Sequence, residues 1–423
     1  MTREKKIGLA LSGGGYRAAA YHIGTMRALH KLGILDEVDV ISSVSGGSIT
    51  ATYYALNKHK GYEQFEKEFL SKLKHNVLWI AVLYLLLIMA ISLFLVYITP
   101  NGYGIWTWIA IFVILWNFAY KILPVSYFIE FAYNMLFFRG AKLDNIPQSP
   151  ILAINTTDLS TGNQFTFSQD RMSCYPYMNT FHFKTTGFSV ARAVMASSCV
   201  PQFFSPIKIN KKYRDGESEV KPYLVDGGLY DNQGAYKFEG SDSHYEVDYA
   251  IVSDAGNTKI SSKKCVNIFR TLIMTSEIMM RRIKNFQRQH NSYIPEYKKK
   301  VLYVYNDLMW KDYENFPKRF VKNVKVGYIP QEVTDFHGIT NCMISQLRNN
   351  QTSEDAFKEI LLLVEKNIGW EKLVKRIPQN HNIAETVSTN LIGLSQKKIN
   401  ALVEHSEWMT EVQIRLHLPF LIQ

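Results

Sequence analysis

Residues 38–47, VDVISSVSGG, decide the fold that this sequence predicts. The first seven residues are mostly apolar or small and lead directly into a serine and two glycines, a pattern typical of a buried strand that turns sharply into a helix. Small neighbours at Ser43, Gly46 and Gly47 suit such a turn, because its backbone is strained and passes close to other segments. The stretch therefore predicts a nucleophile elbow that exposes the hydroxyl of Ser45, although a serine before two glycines also occurs in ordinary loops.

An earlier stretch, residues 6–17 with the sequence KIGLALSGGGYR, predicts a short buried strand, a glycine loop and a helix over 18–32. Three glycines let backbone N–H groups turn toward one point at the start of that helix, where the helix dipole favours negative charge. The pattern Gly13-x-Gly15-x-x-Ala18 also fits a loose dinucleotide-binding fingerprint, so a nucleotide-binding protein is one alternative. The absence of a following Gly-Lys-Ser/Thr excludes a P-loop.

A serine hydroxyl needs a base, because it is a poor nucleophile while protonated. None of the 11 histidines stands in a strong motif, and His22 and His30 fall on the first helix, where packed or solvated histidines are the simpler interpretation. Residues 223–228, YLVDGG, predict instead a buried strand ending in Asp226, which would project a carboxylate into a crevice between loops. A plain Asp-Gly turn is the alternative, and the presence of Ser45 favours the base.

These motifs resemble those of the patatin-like phospholipases, which have a glycine-rich loop ending in arginine, a G-x-S-x-G serine and a D-G-G or D-G-A aspartate, in that order. The resemblance is strong over residues 5–60 and 145–265 and weaker at 389–405. Further stretches similar to the family lie at residues 153–162 and 191–204. Ser43 stands where the family has glycine.

The resemblance implies an α/β fold, with a mostly parallel central sheet between helices on both faces in a three-layer arrangement. It also implies that Asp226 accepts the proton of Ser45 in a Ser–Asp dyad without histidine, and that Ser45 attacks an ester carbonyl. The implied site residues are the dyad Ser45 and Asp226, the oxyanion-hole residues Gly13, Gly14, Gly15 and Arg17, the elbow residues Ser43, Gly46 and Gly47, and Gly227 and Gly228 of the DGG motif. No metal or other cofactor is implied.

Residues 76–120 contain no Asp, Glu, Lys or Arg, which is rare in soluble domains. Apolar runs over 77–98 and 105–123 are each long enough to cross a bilayer as a helix, since about 20 residues suffice, and turn formers separate them. We therefore predict a transmembrane helical hairpin at 76–123, which is not part of the usual family pattern. Basic residues on both flanks predict that both ends lie in the cytoplasm. The alternative is a buried helical pair in a large soluble core.

The overall charge bears on the partners of the protein. A formal net charge of +11, in a chain without a recognisable nucleic-acid module, favours anionic lipid headgroups over nucleic acid. The basic, partly apolar helix predicted over 266–289 is either a core helix with a solvated basic face or an element that lies on lipid. Four scattered cysteines without a C-x-x-C pair indicate neither a zinc site nor a disulfide framework.

The predicted organisation has four parts. Residues 1–75 carry the oxyanion loop and the nucleophile, 76–123 form the hairpin, 124–144 an amphipathic or interfacial linker, and 145–423 the rest of the catalytic domain with an α-rich C-terminal segment. We predict an integral membrane serine acyl hydrolase, of the phospholipase A or lipase type, that acts on membrane glycerolipids from the cytoplasmic side. An inactive lipid-binding scaffold on the same fold is the alternative, and a homo-oligomer is compatible with the sequence.

Overall fold

The computed structural model describes residues 5–100, 102–122, 124–174, 181–201, 203–214, 220–239, 244–256, 267–293, 301–349 and 351–423. Within these ranges ten strands form one sheet. The strands are β1 (Ile7–Leu11), β2 (Val38–Val44), β3 (Ile151–Asp158), β4 (Asn163–Phe167), β5 (Met172–Cys174), β6 (Phe181–Phe183), β7 (Ile207–Lys208), β8 (Tyr223–Asp226), β9 (Tyr249–Asp254) and β10 (Leu302–Asp307).

Five adjacent strands run parallel, in the order β10-β9-β1-β2-β3, with β10 at one edge of the sheet. Strands β4, β5 and β6 continue the sheet in antiparallel fashion, and β8 pairs antiparallel with the C-terminal half of β3. The predicted α/β fold with a mostly parallel central sheet is confirmed. The antiparallel extension is an addition that the hydrophobic pattern did not indicate.

The helices of the described residues are numbered in chain order. They are α1 (Gly15–Lys31), α2 (Gly46–Asn57), α3 (Tyr62–Lys72), α4 (Trp79–Tyr97), α5 (Gly104–Ile122), α6 (Val125–Tyr133), α7 (Val190–Ser197), α8 (Gly228–Asp231), α9 (Ile268–Tyr293), α10 (Phe316–Val326), α11 (Gln331–Phe336), α12 (Asn341–Arg348), α13 (Ser353–Ile368), α14 (Trp370–Val374), α15 (His381–Thr386) and α16 (Gln396–His417). A single π-helical turn, Asn134–Phe138, extends α6.

The two faces of the sheet are covered differently. Successive side chains of a strand alternate between faces, so Leu9 and Leu11 of β1 enter the main core with residues of α1, α2, α7 and α16. Ala10 lies on the other face, where Phe238 and Tyr245 from the connection between β8 and β9 pack over small strand residues. Helices were predicted on both faces. In the described part of the chain the second face is covered largely by this connection.

The C-terminal helices close the molecule at one side of the sheet. Helix α16 packs along α1, and the two backbones approach closely at Gly24, where an added Cβ atom would meet the carbonyl oxygen of Val403. The other side of α16 contributes Trp408 and Val412 to a separate apolar cluster with α10 and α13. This cluster corresponds to the predicted α-rich C-terminal segment.

The region predicted as a hairpin contains two apolar helices, α4 and α5, although residues 101 and 123 lie outside the described ranges. Ala81 is the buried residue of α4. The hydroxyls of Thr99 and Thr107 lie 3.1 Å apart and connect the two helices near the turn. Tyr84 of α4 packs against Phe128 of α6, with 4.7 Å between the ring centroids, so α6 joins the pair to the rest of the fold.

One helix in the described residues, Trp79–Tyr97, is long and apolar enough to cross a membrane, and 6% of its most apolar window is buried. The corresponding apolar stretch of α5 is shorter, Gly104–Ile114. Burial this low contradicts the alternative that α4 is a core helix of a soluble protein. The transmembrane hairpin itself stays a prediction.

Candidate active site

Ser45 lies at the junction of β2 and α2, as predicted. Its φ angle of 49° falls in the left-handed region, which is rare for a residue with a side chain and indicates a strained turn. The turn fits tightly against the glycine loop, because a Cβ atom added at Gly46 would lie 2.1 Å from the carbonyl oxygen of Gly15. Glycine is therefore required at this position, and the side chain of Ser45 is 8% exposed.

The serine at position 43 fits the elbow because its hydroxyl has partners. It donates to the carbonyl oxygen of Ala153, 3.1 Å away on the neighbouring strand, and accepts a hydrogen bond from Ser48. This satisfies a polar group that would otherwise be buried without compensation. The departure from the family glycine at Ser43 therefore leaves the turn intact.

Ser197, at the end of α7, connects the elbow to the aspartate loop. Its hydroxyl accepts a hydrogen bond from the N–H of Ser45 at 2.9 Å and donates to the carbonyl oxygen of Asn155 at 2.7 Å. Its own carbonyl accepts from the N–H of Gly227 at 3.2 Å. One residue thus orients both loops. No sequence pattern indicates this role of Ser197, since nothing in its neighbourhood along the chain shows which distant loops it contacts.

Asp226 ends β8, as predicted, and lies opposite Thr156 of β3. One carboxylate oxygen accepts a hydrogen bond from the N–H of Gly228 at 2.7 Å. Burial raises the pKa of Asp226 from its ordinary value of 3.8 to about 7, against the lowering effect of the Gly228 N–H and the Ser45 hydroxyl. A carboxyl group with a pKa near neutrality can both accept and return a proton at physiological pH.

The glycine loop leaves two backbone donors unengaged. The N–H of Gly13 donates to the carbonyl oxygen of Asn232 at 2.9 Å. Within the described residues the N–H groups of Gly14 and Gly15 have no hydrogen-bond acceptor, and they stand at the start of α1 where unsatisfied donors are expected. Gly14 and Gly15 have φ angles of 146° and 58°, a conformation that glycine adopts without strain.

Arg17 is buried behind this loop. Its Nη1 donates to the carbonyl oxygen of Val387 at 3.3 Å, and burial lowers its pKa to about 10 in spite of the attraction of Asp254. The N–H of the preceding Tyr16 donates to the carbonyl oxygen of Asn390 at 2.9 Å. The segment around residues 387–390 therefore holds the glycine loop from behind.

His22 is also close to the loop, but its ring is engaged. One ring nitrogen donates to the carbonyl oxygen of Ser12 and the other accepts from the hydroxyl of Ser253, both at 2.8 Å. Burial lowers its pKa to about 4, so the ring is neutral at physiological pH. His22 supports the loop and does not reach Ser45, which agrees with the interpretation of a packed histidine.

Ser45 and Asp226 open into one cavity of about 410 Å³. Gly13, Gly14 and Arg17 also line this cavity, and Val200, Pro201 and Leu229 supply apolar surface. Helix α9 covers the cavity through Met280, Arg281 and Lys284, among others. None of the described lining residues is a histidine.

Lys284 ties α9 to the ends of two strands. Its ammonium lies 2.8 Å from Asp254 of β9 and 3.2 Å from Asp307 of β10. Burial opposes charge on Lys284 and Asp254, but their attraction prevails, so the pKa of Lys284 is raised and that of Asp254 is lowered. The strand-end rule that indicated Asp226 could also have indicated Asp254, whereas the partner on α9 has no signal in the sequence.

Comparisons with known proteins concern the family and the fold of the chain. The family model described as patatin-like phospholipase matches residues 9–236, more than half of the chain. Among solved structures, human GIVD cytosolic phospholipase A2 is similar with a TM-score of 0.51 and 11% identity, over 99% of this chain and 63% of that chain. VipD from Legionella pneumophila has a TM-score of 0.32 and 15% identity, over 96% and 92%.

The chain thus spans less than two thirds of the human protein, and at this identity the similarity concerns the fold alone. No curated protein matches the chain. The family match over residues 9–236 includes the glycine loop, the elbow and the DGG motif, so the predicted family is confirmed. The chain belongs to the patatin-like phospholipase family.

Proposed function

We propose that this protein hydrolyses acyl esters of membrane lipids through a Ser45–Asp226 dyad. The observation that carries the proposal is the common cavity into which Ser45, Asp226 and the glycine loop open. A nucleophile, a base with a pKa of about 7 and two unengaged backbone donors are the parts that acyl transfer needs. The family match supports this reaction type.

The proposed reaction has two steps. Asp226 accepts the proton of Ser45 while Oγ attacks the ester carbonyl, and the N–H groups of Gly14 and Gly15 stabilise the oxyanion. The alkoxide of the lysolipid leaves with the proton from Asp226, which leaves an acyl-serine. Water then attacks the acyl-serine, giving its proton to Asp226, and the fatty acid is released as Ser45 takes the proton back.

The first experiment compares Ser45→Ala and Asp226→Asn with Ser71→Ala, a substitution at an exposed position of α3 that does not line the cavity. We expect loss of fatty-acid release from phospholipid vesicles by at least about 10³-fold in the first two variants, since the dyad members act as a unit. Ser71→Ala should keep full activity. Thermal unfolding of each variant checks the fold, and activity retained by a folded Ser45→Ala protein would refute the dyad.

We further propose that the substrate carries a phosphate. Arg281 lines the cavity on the α9 side, its Nε is buried without a hydrogen-bond partner, and none of the described acidic residues forms an ion pair with it. The charge of Lys284 is neutralised by Asp254 and Asp307, which leaves Arg281 as the cation available to an incoming anion on this wall. An arginine fork suits bidentate binding of phosphate.

Arg281→Gln and Arg282→Gln provide a matched test, because Arg282 is exposed on the same helix and does not line the cavity. We expect Arg281→Gln to reduce kcat/KM for phosphatidylcholine by about 10-fold or more, the loss of one charge-assisted hydrogen bond of roughly 1.5–3 kcal/mol. Hydrolysis of diacylglycerol should change less than twofold. An equal loss on both lipids would contradict phosphate recognition without contradicting the dyad.

The membrane part of the proposal rests on α4. The nineteen residues of this helix are almost all apolar, and contacts within the described fold bury 6% of its most apolar window, so most of this apolar surface is left exposed. We propose that α4 and α5 span the bilayer as a hairpin, so that the catalytic part works at the cytoplasmic leaflet. Deleting residues 76–123 and inserting a short linker should move the protein to the soluble fraction, and carbonate-resistant membrane association of that variant would refute the anchor.

Two alternatives make different predictions. An inactive lipid-binding scaffold predicts that a fluorophosphonate probe does not label Ser45, whereas the hydrolase predicts labelling that Ser45→Ala abolishes. A nucleotide-binding protein that uses the glycine loop predicts nucleotide binding unaffected by Ser45→Ala. The close approach between Gly15 and Gly46 favours the hydrolase, because it joins the glycine loop to the nucleophile turn.

A further inference from the structure

A second cavity of about 440 Å³ lies between β10, α10 and α16. It shares no lining residue with the cavity at Ser45. Its walls come from the edge strand of the sheet, Leu302–Tyr305, and from the α-rich C-terminal segment. The family motifs do not reach this part of the chain, and the proposed hydrolysis does not use it.

The second cavity is cationic. Arg288, Arg319 and Lys322 line it, and none of its described lining residues is Asp or Glu. Arg288 is paired with Asp307 and Arg319 with Asp312, whereas Lys322 forms no ion pair with any described residue. Such a charge distribution favours an anion, because no carboxylate among the described lining residues would repel it.

Aromatic rings form much of the remaining wall. Tyr305, Trp310 and Phe320 are among them, and the guanidinium of Arg288 lies 4.6 Å from the ring centroid of Trp310. Flat rings beside cations suit a ligand that has both a planar hydrophobic part and a negative group. An inorganic anion alone would leave this apolar surface unused.

Gln413 of α16 gives an independent sign of a missing partner. The residue lines the cavity, its side chain is 4% exposed, and its amide nitrogen is buried without a hydrogen-bond acceptor. A buried donor without an acceptor costs roughly 1–3 kcal/mol, so such groups are rarely left unpaired. An oxygen atom of a bound ligand would supply the acceptor.

The second cavity is connected to the catalytic cavity through α9. Lys284 lines the catalytic cavity and Arg288, one turn later, lines the second cavity. Both cations contact the same oxygen of Asp307, at 3.2 and 2.8 Å. A ligand that attracts Arg288 therefore weakens one of the contacts that hold α9 over Ser45.

We propose that the second cavity is a regulatory site for a small aromatic organic anion, and that its occupation loosens α9 over the catalytic cavity. The ligand is defined by its chemistry: a planar ring that packs beside Trp310 and a phosphate or carboxylate that binds Arg288 and Lys322. The coupling rests on the proposed function, because its effect is a change in how easily a substrate reaches Ser45.

Phenyl phosphate is the probe for binding, measured by calorimetry on the full chain in detergent micelles. We expect saturable binding that Lys322→Gln weakens at least fivefold, whereas Lys318→Gln, on the same helix but outside the cavity, leaves it unchanged. Gln413→Leu should also weaken binding. Inorganic phosphate and benzyl alcohol, each carrying half of the required chemistry, should bind at least tenfold more weakly than phenyl phosphate. Equal binding to the wild type and Lys322→Gln would overturn the site.

Labelling of Ser45 by a fluorophosphonate probe measures the coupling. Saturating phenyl phosphate should accelerate labelling at least threefold in the wild type and in Lys318→Gln, but not in Lys322→Gln at the same concentration. Unchanged labelling of the wild type at saturation would overturn the coupling. If the wild type is not labelled at all, the proposed function fails, and the calorimetric result still decides whether the second cavity binds the anion.

Discussion

The turn at Ser45 and helix α4 are both built from uncharged residues, yet contacts within the chain account for only the first. At the turn every backbone position is fixed by a neighbour, as the approach of Gly46 to Gly15 and the hydrogen bond from Ser45 to Ser197 illustrate. Helix α4 has almost no burial. The fold thus explains why the residues of the turn are small, whereas it leaves the apolar surface of α4 exposed.

A lysine substitution should prevent folding in the first region and leave the catalytic fold intact in the second. Ile49 in α2 is 0% exposed and Leu86 in α4 is 50% exposed. Ile49→Lys should prevent folding, because burying an unpaired ammonium costs several kcal/mol. Leu86→Lys should leave hydrolysis of a soluble ester unchanged and weaken membrane insertion by about 2.5–3.5 kcal/mol.

The measurements are solubility and thermal unfolding for folding, and the fraction retained by membranes for insertion. A loss of soluble-ester hydrolysis in Leu86→Lys comparable to that in Ile49→Lys would mean that α4 belongs to the catalytic fold. Unchanged membrane retention would remove the case for α4 as an anchor.

Glycine substitutions sharpen the comparison further. Gly46→Ala introduces a methyl group where the carbonyl of Gly15 already lies, whereas a methyl group at Gly104, at the start of α5, meets nothing within 4 Å. We expect Gly46→Ala to lower the rate of ester hydrolysis by about 10²-fold, the effect of displacing the nucleophile by about 1 Å. Gly104→Ala should have no effect. Comparable rates for the two variants would show that the elbow is not tightly packed.

The pH dependence of hydrolysis tests the buried site at Ser45 and Asp226, and its expected effect is smaller. Asp226 accepts a proton only when ionised, and its pKa is about 7. Hydrolysis of a soluble ester should therefore rise with pH, by about tenfold between pH 6 and pH 8, as the ionised fraction of the base increases. Thermal unfolding at both pH values provides the control. A flat profile would contradict the raised pKa or the role of Asp226.

The two strand-end motifs were predictable because each is a continuous piece of sequence. A buried strand that ends in a polar residue and two glycines has few structural solutions, so residues 38–47 and 223–228 indicated both the sheet and the residues at its edge. The apolar helices at 76–123 were predictable for the same reason, since length and composition alone define them. The structure brings Ser45 and Asp226 to one cavity.

The supporting residues could not be predicted. Ser197, Asn232 and Lys284 act through contacts with segments distant in sequence, and each would look ordinary in its own neighbourhood. The engagement of the Gly13 amide by Asn232 likewise depends on how two loops meet. Local patterns specify elements and their ends, whereas the packing of one element on another decides which groups remain available to a substrate.

The contacts of Tyr16 and Arg17 with residues 387–390 have a consequence for biosynthesis. The ribosome delivers α4 and α5 long before Asn390, so a growing chain could reach the membrane while the loop beside Ser45 still lacks its rear support. The proposed dyad and the proposed anchor would both be present, but the proposed oxyanion donors would not yet be fixed. On the proposed function, a chain at this stage would be harmless to the bilayer on which it is made, and lipid cleavage would begin only after residues 387–390 have been translated and have packed behind the loop.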